Sequence, residues 1–308
     1  MLQTFESLLP VFAIILLGVL LRRKLVTDPV LWIGAEKLGF WVLFPALLAH
    51  VLIKADLRSG QTSAMALTLF LAIVGFCLFA LILKPILARF LGTRPPAYST
   101  LFQVAIRWNG FIALAIVDKM YGASGISLVA VALAAMVPII NVVNVTVLTI
   151  VLSENPPNPW RLAVSVLKNP LIIGCCAGIA VNLLNIPVYE PIMTTLDILG
   201  RAALGIGLVL VGAGLQVKQA LRPSTEAVLG VVIKLVAFPA FVALLGSLLG
   251  LSGDAFAIAI ICASVPSAMN GYLLAKEMGG DAPLYATIVT IQTAVSFFTI
   301  PLFLMLAS

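Results

Sequence analysis

Gln103-Val104-Ala105-Ile106-Arg107-Trp108-Asn109-Gly110-Phe111 and Ser264-Val265-Pro266-Ser267-Ala268-Met269-Asn270-Gly271-Tyr272 are the stretches whose reading decides the fold. Each lies well inside an apolar run, and each sets helix-breaking residues beside polar side chains. That composition favours a helix interrupted part-way. At membrane depth, backbone groups freed by a break are tolerated only where protein or a watery cavity surrounds them.

Asn109-Gly110-Phe111 and Asn270-Gly271-Tyr272 also answer each other, and working outward the correspondence continues. Pro10 and Gly18 have the same spacing as Pro170 and Gly178, and Glu36-x-x-Gly39 matches Asp197-x-x-Gly200. Met120-Tyr121-Gly122 matches Met278-Gly279-Gly280 after a small slip. The pairs keep one order at a period of about 160 residues, the mark of an internal repeat.

Crossing a hydrocarbon core takes roughly 20 helical residues. Runs of that kind fall at about 7–21, 31–53, 64–83, 98–117, 126–151, 169–185, 193–215, 225–250, 255–275 and 283–306. The predicted fold is therefore an all-α polytopic membrane protein of ten transmembrane helices. Its parts are a first five-helix repeat at 1–151, a Pro-rich cytoplasmic linker at 152–168 and a second repeat at 169–308. An odd number of spans per repeat inverts one half relative to the other, the architecture of many secondary transporters. Helices 4 and 9 are expected to break near mid-membrane, at equivalent depths.

Composition agrees. Hydrophobic residues make up 62% of 308 positions and charged ones 10%, against about 25% charged in soluble domains. The solvent of such a chain is a lipid bilayer. The net charge of +6 is spread singly over loops, with no basic stripe interleaved with aromatics, so no nucleic-acid partner is expected. Odd-numbered connections carry Arg22, Arg23, Lys24, Lys84, Arg89, Arg94, Arg161, Lys168, Lys218, Arg222 and Lys276, and even-numbered ones Lys54, Arg58 and Lys119. That asymmetry predicts the cell (inner) membrane with odd loops in the cytoplasm and both termini outside. The first apolar run has no basic stretch before it and no small-residue cleavage site after it, so it reads as a span rather than a signal peptide. Cys77, Cys175, Cys176 and Cys262 sit in apolar runs without paired spacing and read as small buried hydrophobes. No metal site or cofactor is predicted.

The candidate substrate-binding residues are Gln103, Arg107, Asn109, Gly110, Asn141, Pro266, Ser267 and Asn270. A charge at mid-bilayer costs several kcal/mol, roughly 2.5–3.5 on insertion scales, and is a functional hypothesis by default. The planar fork of Arg107 matches a carboxylate, and half-helix N-termini aimed at one point favour an anion. The alternative is that Arg107 caps freed carbonyls or pairs with an acidic residue. Asn141 and Asn144 lie one turn apart and either line the cavity or act as interhelical glue. Gln292 and Thr293 hold a similar place in the last span. Asp197 and Arg201 satisfy each other at i,i+4, Lys234 is placed near a helix end or snorkelling, and His50 is read as interfacial. No Asp or Glu lies at the centre of span 4 or 9.

At these residues the chain resembles the auxin efflux carrier family, over essentially its whole length. The resemblance rests on Arg107-Trp108-Asn109-Gly110-Phe111 followed by Asp118-Lys119-Met120-Tyr121-Gly122, on Lys168-Asn169-Pro170-Leu171, and on Ala263-Ser264-Val265-Pro266 followed by Gly271-Tyr272-Leu273-Leu274-Ala275-Lys276-Glu277. The resemblance implies a ten-helix fold like that of bile-acid symporters, crossing at Trp108–Gly110 and Pro266–Asn270. It also implies a transport domain moving against a scaffold, a homodimer, and substrates such as malate, malonate or auxin-like acids. Span 4 lacks the proline that plant members carry at their crossing, and the long cytoplasmic loop of many plant members is missing.

The function expected is secondary transport of small organic anions. An intramembrane enzyme is the rival class. Gly122-Ala123-Ser124-Gly125 formally matches a serine-protease motif, but the sole histidine lies far upstream in span 2, and no HExxH or pair of intramembrane aspartates occurs. A membrane sensor is the third class, and nothing soluble is attached that could signal.

Overall fold

Prolines and glycines set where the helices begin and end. A computed structural model describes residues 2–55, 57, 59–152, 160, 164 and 167–307. Most of the predicted linker at 152–168, together with Arg58 and Arg161, lies outside the described residues. The described residues form helices and connecting turns, without strands.

Helix α1 is Leu2–Leu20 and ends in a π turn, Leu21–Leu25. Helix α2, Pro29–Leu38, starts where Asp28 accepts the Val30 N–H at 2.8 Å with Pro29 at the first helical position, a placement that uses its missing donor. A π turn at Gly39–Leu43 leads into α3, Phe44–Lys54. Helix α4 runs Gly60–Leu91, α5 Pro95–Ile106 and α6 Gly110–Leu152. The last is really two helices joined at Gly122, whose φ of 61° and ψ of −150° are non-helical and open to glycine. Asn169 caps α7, Pro170–Leu183, by accepting the Leu171 N–H at 2.9 Å. Next come α8, Glu190–Gly214, the short α9, Val217–Ala220, and α10, Thr225–Val232. A π turn at Ile233–Ala237 leads into α11, Phe238–Leu248. Helices α12, Gly253–Ser264, α13, Asn270–Met278, and α14, Ala282–Ala307, complete the chain.

Seven segments of the described residues are long and apolar enough to cross a membrane: Phe5–Leu25, Pro29–Lys54, Gly60–Leu91, Pro95–Leu152, Glu190–Gly214, Thr225–Leu248 and Ala282–Leu306. Pro170–Leu183 and Gly253–Ser264 are apolar but shorter. Large apolar side chains such as Leu9, Trp41, Ile82, Ile198 and Leu248 stand exposed on the outer faces, as lipid contact requires. The chain is a polytopic helical membrane protein.

Three sequence expectations need correction. Lys84 and Arg89, expected in a loop, lie on the last turns of α4. Nothing breaks that helix before Gly92 takes a left-handed φ of 62° as its cap, and cations suit a helix C-terminus. Cys176 is exposed, unlike the other three cysteines, because an outward-facing helix position in lipid does not need burial. Lys234 neither snorkels nor sits at an end: it lies inside the π turn between α10 and α11 and is 0% exposed.

Close packing between helices is set by small residues. A Cβ on Gly18 would collide with the Val209 carbonyl oxygen, and one on Gly212 with that of Ile15, so α1 and α8 meet backbone to backbone. Helix α7 meets α3 the same way, with Gly174 against Pro45 and Gly178 against Ala49 and Leu52.

Candidate functional site

Two interruptions of helix meet at one place. Helix α5 ends at Ile106, and Arg107 turns extended with φ −72° and ψ 149°. Helix α12 ends at Ser264, and Val265 does the same with φ −68° and ψ 152°. Residues 107–109 and 265–269 are non-helical before α6 and α13 begin, within a residue or two of the expected positions. The Asn109 N–H donates to the Pro266 carbonyl at 2.8 Å, and the Ser267 hydroxyl donates to the Val104 carbonyl at 2.8 Å. Each break thus supplies partners for backbone groups freed by the other, which is how buried irregular backbone is satisfied.

Side chains from α14 complete the support. Gln292 is fully buried. Its Oε1 accepts the Ser267 N–H at 2.9 Å while its Nε2 donates to the Gly230 carbonyl at 3.0 Å. The Tyr285 hydroxyl donates to the Ala268 carbonyl at 2.7 Å. Gly271 is required here, since a Cβ would strike the Tyr285 ring. Sequence reasoning noted Gln292 only as a polar residue of the last span and passed over Tyr285. A tyrosine in an apolar helix carries no signal of which carbonyl it will reach.

Arg107 is 6% exposed, and its NH1 donates to Asn270 Oδ1 at 3.0 Å. Its Nε is buried without a hydrogen-bond partner. Asn270 itself is exposed, so the guanidinium lies just under an accessible polar residue. Asn109 uses its Oδ1 to cap α6, accepting the Phe111 and Ile112 N–H groups at 3.1 and 3.3 Å. The α6 N-terminus is therefore already capped by its own chain, whereas that of α13 has no side-chain cap. Gln103 is fully buried, with both amide atoms unpartnered.

The structure brings Arg107, Asn109, Gly110, Pro266, Ser267 and Asn270 together at the breaks. It leaves Asn141 half-buried in α6, with no described hydrogen bond to them. Asn144 is buried and donates to the Ile140 carbonyl of its own helix at 2.8 Å, a bond within the helix rather than across helices. Asp197 and Arg201 pair as predicted, Nε to Oδ2 at 2.9 Å. His50 is half-buried with Nε2 3.7 Å from Asp197 Oδ1. The Ser124 hydroxyl donates to the Tyr121 carbonyl at 3.1 Å, and His50 is engaged elsewhere.

Charge at this place has one sign. Among the described residues the buried charged side chains are Arg107 and Lys234, and no carboxylate is buried. The Lys234 Nζ has no hydrogen-bond partner and stands 4.2 Å from the Phe238 ring centroid. Its turn packs against both α5 and α12. The described residues hold no cluster of His, Cys, Asp and Glu fit for a metal ion.

A family profile described as membrane transport protein matches residues 3–304. The chain belongs to this family, that of the auxin efflux carriers. It is 31% identical over 147 residues to auxin efflux carrier component 5 of Arabidopsis thaliana, a match covering 44% of this chain and 42% of that protein. It is 29% identical over 139 residues to probable auxin efflux carrier component 5b of Oryza sativa subsp. japonica, covering 43% of this chain and 38% of that one. The matched stretches thus span less than half of each plant relative. Membership of a family described as membrane transport protein agrees with the multi-pass helical membrane architecture.

Proposed function

We propose that the chain is a secondary transporter of small organic carboxylate anions, such as malate, malonate or auxin-like acids. One observation carries the reading: a guanidinium at the meeting of two helix breaks, bonded to exposed Asn270, with no buried carboxylate among the described residues to neutralise it. Arginine is suited to planar carboxylates, and an intramembrane charge facing a break reads as a substrate contact. Gln103, Asn109, Gly110, Pro266, Ser267 and Asn141 form the rest of the proposed site.

The proposed architecture is ten spans in two inverted halves, 1–151 and 169–308, that exchange conformations in alternating access. Pro95–Leu152, with 58 residues, would be roughly three times as long as a hydrocarbon core is thick if straight. Its turn at Gly122 and the short helices α7 and α12 supply the additional crossings. Packing supports the repeat as well. Gly18 abuts the Val209 carbonyl and Gly178 that of Ala49, and both members of these pairs are related by the offset that takes Pro10 to Pro170. The reading also takes the inner membrane as the site, with both termini outside the cytoplasm, and a homodimer as the assembly.

Counterflow of labelled malate, malonate and an indole carboxylate into proteoliposomes, with pH and sodium gradients varied, tests this. Uptake of at least one carboxylate is expected. Flux of a cation or neutral solute with none of any carboxylate would overturn it.

A further inference from the structure

Phe111 is the second residue of the half-helix that begins at the first break, and its ring leaves the crossing to meet Phe44 of α3. The ring centroids are 3.8 Å apart with the planes inclined by 21°. Every other ring pair among the described residues is tilted or edge-on. The chain is built to allow this stack. The π turn Gly39–Leu43 immediately precedes Phe44, whose N–H bonds to the Gly39 carbonyl. An added residue of that kind rotates the next helical segment by about 100° relative to an unbroken helix. Glycines clear the space. A Cβ on Gly207 of α8 would come within 2.8 Å of Phe44 Cζ and 3.2 Å of Phe111 Cγ, and one on Gly39 within 3.3 Å of Phe44 Cε2.

The two rings are unequally buried. Phe44 is 2% exposed, whereas Phe111 is only half-buried. One ring is anchored in the wall made by α3 and α8, and the other rides on the interrupted segment beside Asn109.

We infer that the Phe44–Phe111 stack is the gate of the transport path, closing the crossing on the side of α3 and α8 and parting when the broken segment moves. The inference rests on the transport reading above. A stacked pair adds only about tenfold at most in equilibrium terms beyond the area it buries, little enough for the rings to part and meet again. A π turn frequently marks such a functional place in a helix.

The test uses the full-length protein in detergent with Cys77, Cys175, Cys176 and Cys262 replaced and one reporter, Ala115→Cys. Ala115 is half-buried one turn beyond Phe111. Phe44→Leu keeps apolar volume and removes the stack, and Gly207→Ala pushes the rings apart while keeping both. Both are expected to raise the rate of maleimide labelling by up to about tenfold, the ratio matching the upper worth of a ring pair. Labelling unchanged in a monodisperse Phe44→Leu protein would mean that the pair is only core packing. If Phe44→Leu does not fold, Gly207→Ala decides by the same readout. Labelling does not depend on which solute is carried. A failed carboxylate flux assay therefore leaves the gate standing, and a silent reporter leaves the carboxylate reading standing.

Discussion

The Arg107 guanidinium donates to Asn270 Oδ1 at 3.0 Å, across 163 residues of sequence. The bond joins the residue that closes α5 to the one that opens α13, so a single side-chain contact ties the two breaks together. The pair is asymmetric. Arg107 is nearly buried while Asn270 is exposed, and an anion reaching the guanidinium meets the amide first.

Replacing Arg107 separates charge from geometry. Arg107→Lys keeps a cation but not the fork that binds a carboxylate through two N–H groups, and Arg107→Ala removes both. A hydrogen bond to a charged group is worth about 1.5–3 kcal/mol. The affinity for carboxylate is expected to fall roughly 10- to 150-fold in Arg107→Ala, with a smaller fall in Arg107→Lys. Binding to purified protein followed by isothermal calorimetry checks this, with size-exclusion profiles as the test of folding. Full affinity in Arg107→Ala would return the residue to a purely structural role.

Asn270→Asp asks the opposite question. A carboxylate at that position would sit at the present bond length from Arg107 and neutralise it from within the protein. Charge-assisted bonds are about twice as strong as neutral ones, so thermal stability is expected to hold or rise while carboxylate binding is lost. Binding that survives in this variant would show that the anion is held elsewhere.

How far these residues could be read from sequence depends on what kind of signal each one gives. Helix breaks announce themselves: Asn109-Gly110 and Pro266 are breakers in apolar surroundings, and the structure interrupts its helices within a residue or two of them. An arginine inside a span is likewise conspicuous. What could not be read was pairing at long range. That Ser267 is held by Gln292, or that Tyr285 reaches the Ala268 carbonyl, depends on how α14 packs against α12 and α13, which no local pattern encodes. Lys234 was misplaced for a different reason. The snorkelling rule assumes a side chain with a route to the interface, whereas the π turn aims this one inward among α5, α12 and α14. Some span boundaries marked by Pro or Gly were legible, as at Pro170. Those of α4 were not, because its helix outruns its apolar stretch.

Lys234 allows a stability prediction. An unpartnered ammonium in a dry interior is unfavourable, and its replacement by an apolar group of similar shape is often neutral or stabilising. Lys234→Met is expected to leave thermal stability unchanged or raise it by about 1 kcal/mol or more, and to slow transport if the cation offsets the partial charges of the broken helix ends. Unfolding followed by tryptophan fluorescence, read beside proteoliposome flux, measures both. A loss of several kcal/mol would show instead that the ammonium has a partner on which the fold depends.

The glycine contacts between α1 and α8 give the last prediction, with a control within one helix. A Cβ at Gly18 would occupy the position of the Val209 carbonyl oxygen, which is backbone and cannot swing aside. Gly18→Ala must therefore push the two helices apart along their seam, where the neighbouring Gly212 already abuts the Ile15 carbonyl. Overpacking of this kind typically costs about 1–3 kcal/mol. At Gly205, on the same α8, a Cβ meets nothing within 4 Å, so Gly205→Ala is expected to be neutral or to stabilise the helix by up to about 1 kcal/mol. Thermal unfolding of both variants in one detergent decides the matter. Equal stability of the two would mean that α1 and α8 do not meet at this distance, and the matching contact of Gly178 with Ala49 would lose its counterpart in the other half.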